Sequence, residues 1–151
     1  LGEVGAPIVV KADGLAAGKG VVLCRSTKEA EEAVDEIIRG RLFGDAGNRV
    51  VIEEFLEGEE ASFMVLTDGT TALLQGLRER RIVYKGVLYA GLMIRDGRAK
   101  VLEFNCRFGD PECQVIVPRL RSDLVPLLEA TIDERLGQVA IDWDPRAAAC
   151  V

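Results

Sequence analysis

In the stretch "KVLEFNCRF", residues 100 to 108, Leu102, Phe104, Cys106 and Phe108 alternate with Val101, Glu103, Asn105 and Arg107. That is the period of a strand, and it predicts that the second set shares one face. A carboxylate and an amide at i and i+2 then point the same way, roughly 7 Å apart along the strand. Their oxygens suit a hard divalent cation, and Mg²⁺ carrying nucleotide phosphates is the tenant this chemistry suggests. Arg107, one step further along, would stabilise negative charge developing on a transferring phosphoryl group. A solvent-exposed strand face is the competing reading. Asn105 argues against it, because asparagine is a poor strand former and needs a reason to be there.

A second candidate is "KADGLAAGKG", residues 11 to 20, which follows the apolar run "PIVV". A Walker loop would need G-x4-G-K-[ST] opening a helix. Here three residues separate Gly14 from Gly18, Gly20 follows Lys19, and the strand-like "VVLC" comes next. The pattern G-x-G-x-x-G of dinucleotide folds is absent as well. What remains is a hairpin tip whose Gly14, Gly18 and Gly20 allow close backbone approach, with Lys11 fixed on a strand and Lys19 carried on the loop. Two lysines could reach a polyphosphate from one hairpin; a glycine-rich surface turn with solvated lysines is the plainer alternative.

Two further segments bear polar groups. "EEFLEGEE" is either a solvated acidic loop or a connector in which backbone meets an adenine edge and a carboxylate takes the ribose hydroxyls. "RFGDPE" places Asp110 and Glu112 in a loop at the end of the Glu103–Arg107 strand, where substrate contacts collect. The chain has no histidine. His-based triads and His-ligated metals are therefore out, and nothing forms a nucleophile-plus-base pair. Positioning and charge neutralisation are the chemistry left.

The elements that must position these groups follow from pattern. "PIVVKA" and "GVVLC" read as two strands of a hairpin, and "RVVIEEF" as a third strand. Between them "STKEAEEAVDEIIRG" reads as a helix with Ser26 and Glu29 as a capping box, Ala30, Ala33, Val34, Ile37 and Ile38 on one face, and Gly40 as the stop. "ASFMVLTDGTTALLQ" predicts a hairpin about Asp68-Gly69. "GVLYAGLMIRDGRAKVLEFNCRF" predicts another about "RDGR". "SDLVPLLEATIDERLG" reads as a helix capped by Ser122, with Leu124, Leu127, Leu128 and Ile132 inside and Pro126 tolerated in its first turn. "LRERR", four charges in five residues without turn chemistry, reads as a join between two apolar strands.

Composition narrows the partners. The chain has 151 residues, 48% of them hydrophobic, and a net charge of −6. That is enough for one core or two lobes, and there is no basic stripe for nucleic acid. The spacing of Cys24, Cys106, Cys113 and Cys150 fits neither a disulfide framework nor zinc, so free thiols in the cytoplasm are expected. No apolar run is long enough to span a membrane. An opening at Leu1 rather than Met suggests an excised or processed fragment.

Taken in order, "PIVVKADGLAAGKGVVLC", "FGDAGNRVVIEEFLEGEEASFMVL", "GVLYAGLMI" and "VLEFNCRFGDPE" resemble the ATP-grasp core of the glycinamide ribonucleotide synthetase family, over nearly the whole chain. The resemblance implies an α+β fold: a small β-α-β lid lobe, residues 1–59, and an antiparallel sheet lobe with packed helices, residues 60–151, interrupted near 76–82. It implies a ligase of purine biosynthesis that joins glycine to phosphoribosylamine through glycyl phosphate, using ATP and Mg²⁺, or Mn²⁺ in its place. Lys11 would contact adenine and the α-phosphate, and the loop with Lys19 would close over the β- and γ-phosphates. Glu53, Glu54, Phe55 and Leu56 would form the adenine connector, and Glu60 would bind ribose. Glu103 and Asn105 would hold the metal, Arg107 would face the γ-phosphate and acyl phosphate, and Asp110 and Glu112 would lie near the acceptor. The family pattern also has domains before and after this stretch, and a Pro-Asn-Thr-Gly-Gly-Met-Gly segment where "LRERR" reads as a join. An ATP-binding module without turnover, a structural fragment with no ligand, and an ATP-grasp ligase with another acceptor stay open as alternatives.

Overall fold

A computed structural model of the chain describes residues 5–16, 19–69, 77 and 79–151. The chain divides into two compact units, Leu1–Glu57 and Gly58–Val151.

In the first unit, β1 (Ile8–Ala12), β2 (Val21–Cys24) and β3 (Val50–Glu54) form an antiparallel sheet of order β2-β1-β3, and α1 (Thr27–Ile38) lies between β2 and β3 in sequence. Ile8 and Val10 of the central strand are buried together with Cys24, Ala30, Ala33 and Ile37. At Ala30 and Ala33 the helix presents only methyl groups to the sheet. Ser26 caps α1 by accepting from the amide of Glu29 at 3.2 Å, while Glu29 reaches back to the amide of Arg25 at 2.9 Å. One expected member of the inner face is outside: Ile38 is 41% exposed, because it sits about 100° around the helix from Ile37. Gly40 is where the helix stops, and a methyl group there would come within 2.6 Å of the Glu36 carbonyl oxygen.

In the second unit, β4 (Glu59–Thr67), β5 (Gly86–Arg95) and β6 (Arg98–Asn105) form an antiparallel sheet in that order. The β5–β6 turn has both central residues left-handed, Asp96 at φ 52° and Gly97 at φ 72°. Such a turn matches the twist of the strands it joins. The strand expected after Asp68-Gly69 falls outside the described residues. Helix α2 (Glu112–Ile116) runs into a 3-10 turn, Val117–Arg119, and α3 (Leu124–Ile132) follows.

Two expectations for α3 are corrected. Asp123 caps it, accepting from the amide of Val125 at 3.0 Å, and Ser122 instead accepts from the amide of Asp142 at 2.7 Å. The helix starts at Leu124, so the residue before it must hold the free amides. The inner face is Leu127, Ala130 and Thr131, with Ile132 68% exposed and Leu128 also outside. This helix is apolar nearly all round, so hydrophobicity cannot choose its face. Thr131 is buried without cost because its hydroxyl donates to the Leu127 carbonyl at 2.8 Å. Lys85, just before β5, donates to the Ile132 carbonyl at 2.8 Å and ties the end of α3 to the sheet.

The C-terminal stretch is fastened by Asp144, which is buried. Its carboxylate accepts from Arg146 Nη2 at 2.6 Å and Arg121 Nη2 at 3.4 Å, and its backbone carbonyl accepts from Arg119. Arg146 first, with Arg121 and Arg119 adding, holds the carboxyl down at about 2 against an ordinary 3.8. A depressed folded value stabilises the fold above the unfolded value, and that contribution is lost as pH falls from about 4 towards 2. The melting temperature is therefore expected to drop across that window, and to drop less in Asp144→Asn; thermal melts of both chains over pH 2–5 check it.

Candidate functional site

The first unit places Lys11 on the face of its sheet turned away from α1. Lys11 pairs with Val21 and Val51, and Val9 pairs with Leu23 and Glu53, so these six residues share that face. Lys11 Nζ meets Glu53 Oε2 at 2.5 Å. Around this pair Val21 is 54% and Leu23 45% exposed. The face is apolar apart from this ion pair, in which the Glu53 carboxylate balances the Lys11 ammonium. Glu54 ends β3 exposed, and Phe55 and Leu56 follow it half-buried.

The glycines of the loop have an internal reason to be glycine. The Gly14 amide donates to the Ala46 carbonyl at 3.0 Å, and a methyl group on Gly14 would stand 2.5 Å from Ala46 Cα. Gly20 is buried, and a methyl there would stand 2.7 Å from Ala16 Cβ. Lys19 is exposed, with its amide bonded to the Ala16 carbonyl at 3.0 Å. Gly18 lies outside the described residues.

The second unit brings Glu103 and Asn105 together: Asn105 Nδ2 donates to Glu103 Oε1 at 2.8 Å. That bond orients the amide so that its oxygen and the second carboxylate oxygen remain as acceptors. Gly91 pairs with Glu103 but Leu92 with Val101, so Leu102 is an extra residue in β6, a bulge. The clean alternation expected over the segment is broken there, and Phe104 is 64% and Val101 50% exposed. The strand also ends at Asn105, earlier than the sequence pattern predicts. Arg107 therefore stands on the bend beyond β6, its Nη1 donating to the Phe108 carbonyl at 2.9 Å, and is not the next residue along the strand face. Glu60 is exposed near the start of β4 and pairs with Met93.

Asp110 accepts from Gln114 Nε2 at 2.7 Å, across the start of α2. Glu112 lies elsewhere: its Oε1 accepts from the Ser62 hydroxyl at 2.6 Å and the Tyr89 hydroxyl at 3.2 Å. The bond from Ser62 leads the causes that hold the Glu112 carboxyl below the ordinary carboxylate range, with its own backbone amide, Tyr89 and the Arg107 charge adding to it. Sequence reasoning missed Ser62 and Tyr89, which are 50 and 23 residues from Glu112. The one local signal is Gly91, a glycine inside a strand. The unit also holds an apolar cavity of about 670 Å³, lined by Phe63, Val65, Val87, Leu120 and Trp143 among others, which touches none of the expected site residues.

A small antiparallel sheet backed by one helix, followed by a second antiparallel sheet with packed helices, is an architecture of the ATP-grasp class. The biotin carboxylase domain of Hydrogenobacter thermophilus 2-oxoglutarate carboxylase, solved with MgADP, shares the fold at 20% identity and a TM-score of 0.59, over 86% of this chain and 37% of that one. Phosphoribosylamine–glycine ligase of Thermotoga maritima superposes with a TM-score of 0.74 at 30% identity, over 85% of this chain and 44% of that one. The family described as phosphoribosylglycinamide synthetase, ATP-grasp (A) domain, matches residues 1–74 and 71–113. The chain belongs to that family.

Curated relatives named phosphoribosylamine–glycine ligase include those of Vibrio parahaemolyticus, 46% identical, and Pseudomonas aeruginosa, 45% identical. In each case 97% of this chain aligns, covering 46% of the relative. The chain thus spans a little under half the length of the relatives it matches. Each alignment runs over 195 residues against a chain of 151, so the relatives carry residues with no counterpart here. The two pieces of the family match meet at 71–74.

Proposed function

We propose that this chain is the ATP-binding core of a cytoplasmic, Mg²⁺-dependent ligase that joins glycine to 5-phosphoribosylamine in de novo purine biosynthesis. The products are glycinamide ribonucleotide, ADP and phosphate, and the route is through glycyl phosphate. The observation that carries the reading is the Glu103–Asn105 pair, bonded side by side on a sheet face in a chain of this family. Residues 1–59 would act as the lid lobe and residues 60–151 as the central lobe, interrupted near 76–82. Among the described residues no helix is long and apolar enough to cross a membrane.

The donor set fits Mg²⁺. Glu103 and Asn105 offer hard oxygens, and among the described residues no group of three or more His, Cys, Asp or Glu forms a closed cage. A site with few protein oxygens is what Mg²⁺ uses when phosphates and water complete its shell; Mn²⁺ would fit the same oxygens. When bound, the ion would neutralise phosphate charge. Lys11 holds adenine and the α-phosphate, and Lys19, in the same sequence stretch as Gly14, Gly18 and Gly20, covers the β- and γ-phosphates. Glu53, Glu54, Phe55 and Leu56 line the adenine, and Glu60 takes the ribose. Arg107 stabilises charge on the phosphoryl group as it passes to the glycine carboxylate. Asp110 stands near the acceptor.

Mg·ATP at a hundredfold over its Kd should stabilise the chain by about 2.7 kcal/mol, which is about 5–10 °C in melting temperature for a chain this size. A flat melting temperature in saturating Mg·ATP would sink the nucleotide reading. A second reading, an ATP-binding core without turnover, is favoured by the residues that the relatives carry and this chain does not. ADP release on adding glycine and phosphoribosylamine separates the two.

A further inference from the structure

Glu112 is joined by two hydroxyls to the sheet face that carries Glu103 and Asn105. Ser62 pairs with Gly91, and Gly91 with Glu103, so hydroxyl, glycine and carboxylate form one row across β4, β5 and β6. Tyr89 pairs with Asn105 on the same face. Gly91 keeps the row open, since a methyl group there would stand 3.2 Å from Glu103 Cγ and 3.6 Å from the Tyr89 hydroxyl. The Tyr89 ring therefore lies across the glycine, and its hydroxyl comes within 3.2 Å of Ser62 Oγ. Both hydroxyls donate to Glu112 Oε1. The other carboxylate oxygen packs against Gly109, where a side chain would collide with it. Oε1 thus already accepts from two donors held by the sheet, which favours a structural use of this carboxylate.

We propose that Glu112 is a positioning residue: the clamp Ser62–Tyr89–Glu112 fastens the loop 106–111, and Arg107 on it, to the strands that carry Glu103 and Asn105. In this role Glu112 acts by placing the loop and not by touching the acceptor. That role rests on the nucleotide reading above for what Arg107 and the Glu103–Asn105 pair hold. The glycine at 91, with the glycine at 109, is the backbone accommodation the clamp needs.

The test uses Glu112→Ala, Glu112→Gln, Ser62→Ala and the double variant Ser62→Ala/Glu112→Ala in the 151-residue chain. A glutamine oxygen accepts both hydroxyls but carries no charge. Glu112→Ala and Ser62→Ala are each expected to weaken Mg·ATP binding about three- to tenfold by titration calorimetry, the range of one or two hydrogen bonds. The double variant should lose no more than the worse single one. Amide hydrogen exchange across 106–112 should rise about tenfold in both single variants. Glu112→Gln should restore affinity and protection to within about twofold. Additive losses, unchanged exchange in Glu112→Ala, or a Glu112→Gln as weak as Glu112→Ala would each overturn the clamp. If the unchanged chain binds no Mg·ATP, the nucleotide reading fails by itself, and the exchange measurement still decides the clamp.

Discussion

Glu103→Ala is expected to weaken Mg·ATP binding by about 10- to 100-fold while moving the melting temperature of the free chain by only about a degree or two. The first part follows from removing one charged oxygen from a two-residue donor set: hydrogen bonds and ion contacts of charged groups are worth about 1.5–3 kcal/mol, and every 1.4 kcal/mol is about tenfold. The second follows from exposure. Glu103 is on the solvent side of β6 and its polar contact there is the amide of Asn105, and surface substitutions outside such networks rarely exceed about 0.5 kcal/mol. Asn105→Ala should act in the same direction and more weakly, because a neutral oxygen binds a cation less strongly than a charged one. Titration of each variant with ATP in the presence and absence of Mg²⁺ checks the assignment. An Mg²⁺-independent loss would mean that Glu103 does not hold the metal, and an unchanged Kd would remove it from the site.

Ile37→Ala should cost about 2–5 kcal/mol, which is much of the stability a unit of this size can have. Ile37 is fully buried under the sheet with Ile8, Val10 and Cys24. Its neighbours cannot refill the hole: Ala33 is small, and Gly47 approaches Ile37 so closely that a methyl there would stand 3.2 Å from Ile37 Cγ2. Ile38→Ala, one residue on and 41% exposed, removes the same atoms and should cost about 1 kcal/mol or less. Denaturant unfolding followed by amide exchange in residues 5–57 gives both numbers. Equal costs for the two variants would contradict the helix face described above. Because Lys11 lies on β1 of the same unit, Ile37→Ala is also expected to abolish nucleotide binding, and Ile38→Ala to leave it alone.

Strand positions were legible where one face is buried and the other is not. β1 is the clear case, with Ile8 and Val10 inward and Lys11 outward, and so is the Asp96-Gly97 turn, whose residue types fix its geometry. α3 was less legible because its apolar residues surround it, and a threonine with its own carbonyl partner went inside where leucines were expected. The bulge at Leu102 could not be read at all, since it is a property of the pairing with β5 and leaves no mark on β6 alone. Asp123 taking the cap from Ser122 is a shift of one residue between two good capping types, which propensity does not resolve.

The candidate site divides in the same way. Residue type and spacing alone single out Lys11, Glu103 and Asn105, because a strand's period of two puts chosen side chains on one face whatever the rest of the chain does. The family resemblance also rests on local words such as "EFNCRFGDPE" and "KADGLAAGKG", which are sequence and nothing else. Tertiary structure alone decided where β6 stops, and with it that Arg107 stands on a bend. It also decided that Gly14 and Gly20 are shaped by their own neighbours, and that Glu112 belongs to Ser62 and Tyr89. Glu112 meets partners 50 and 23 residues away, β6 ends where its pairing with β5 does, and the two glycines answer to the neighbours that close on them. Local pattern carries no record of these, because the same residues satisfy it wherever the partner strand is laid.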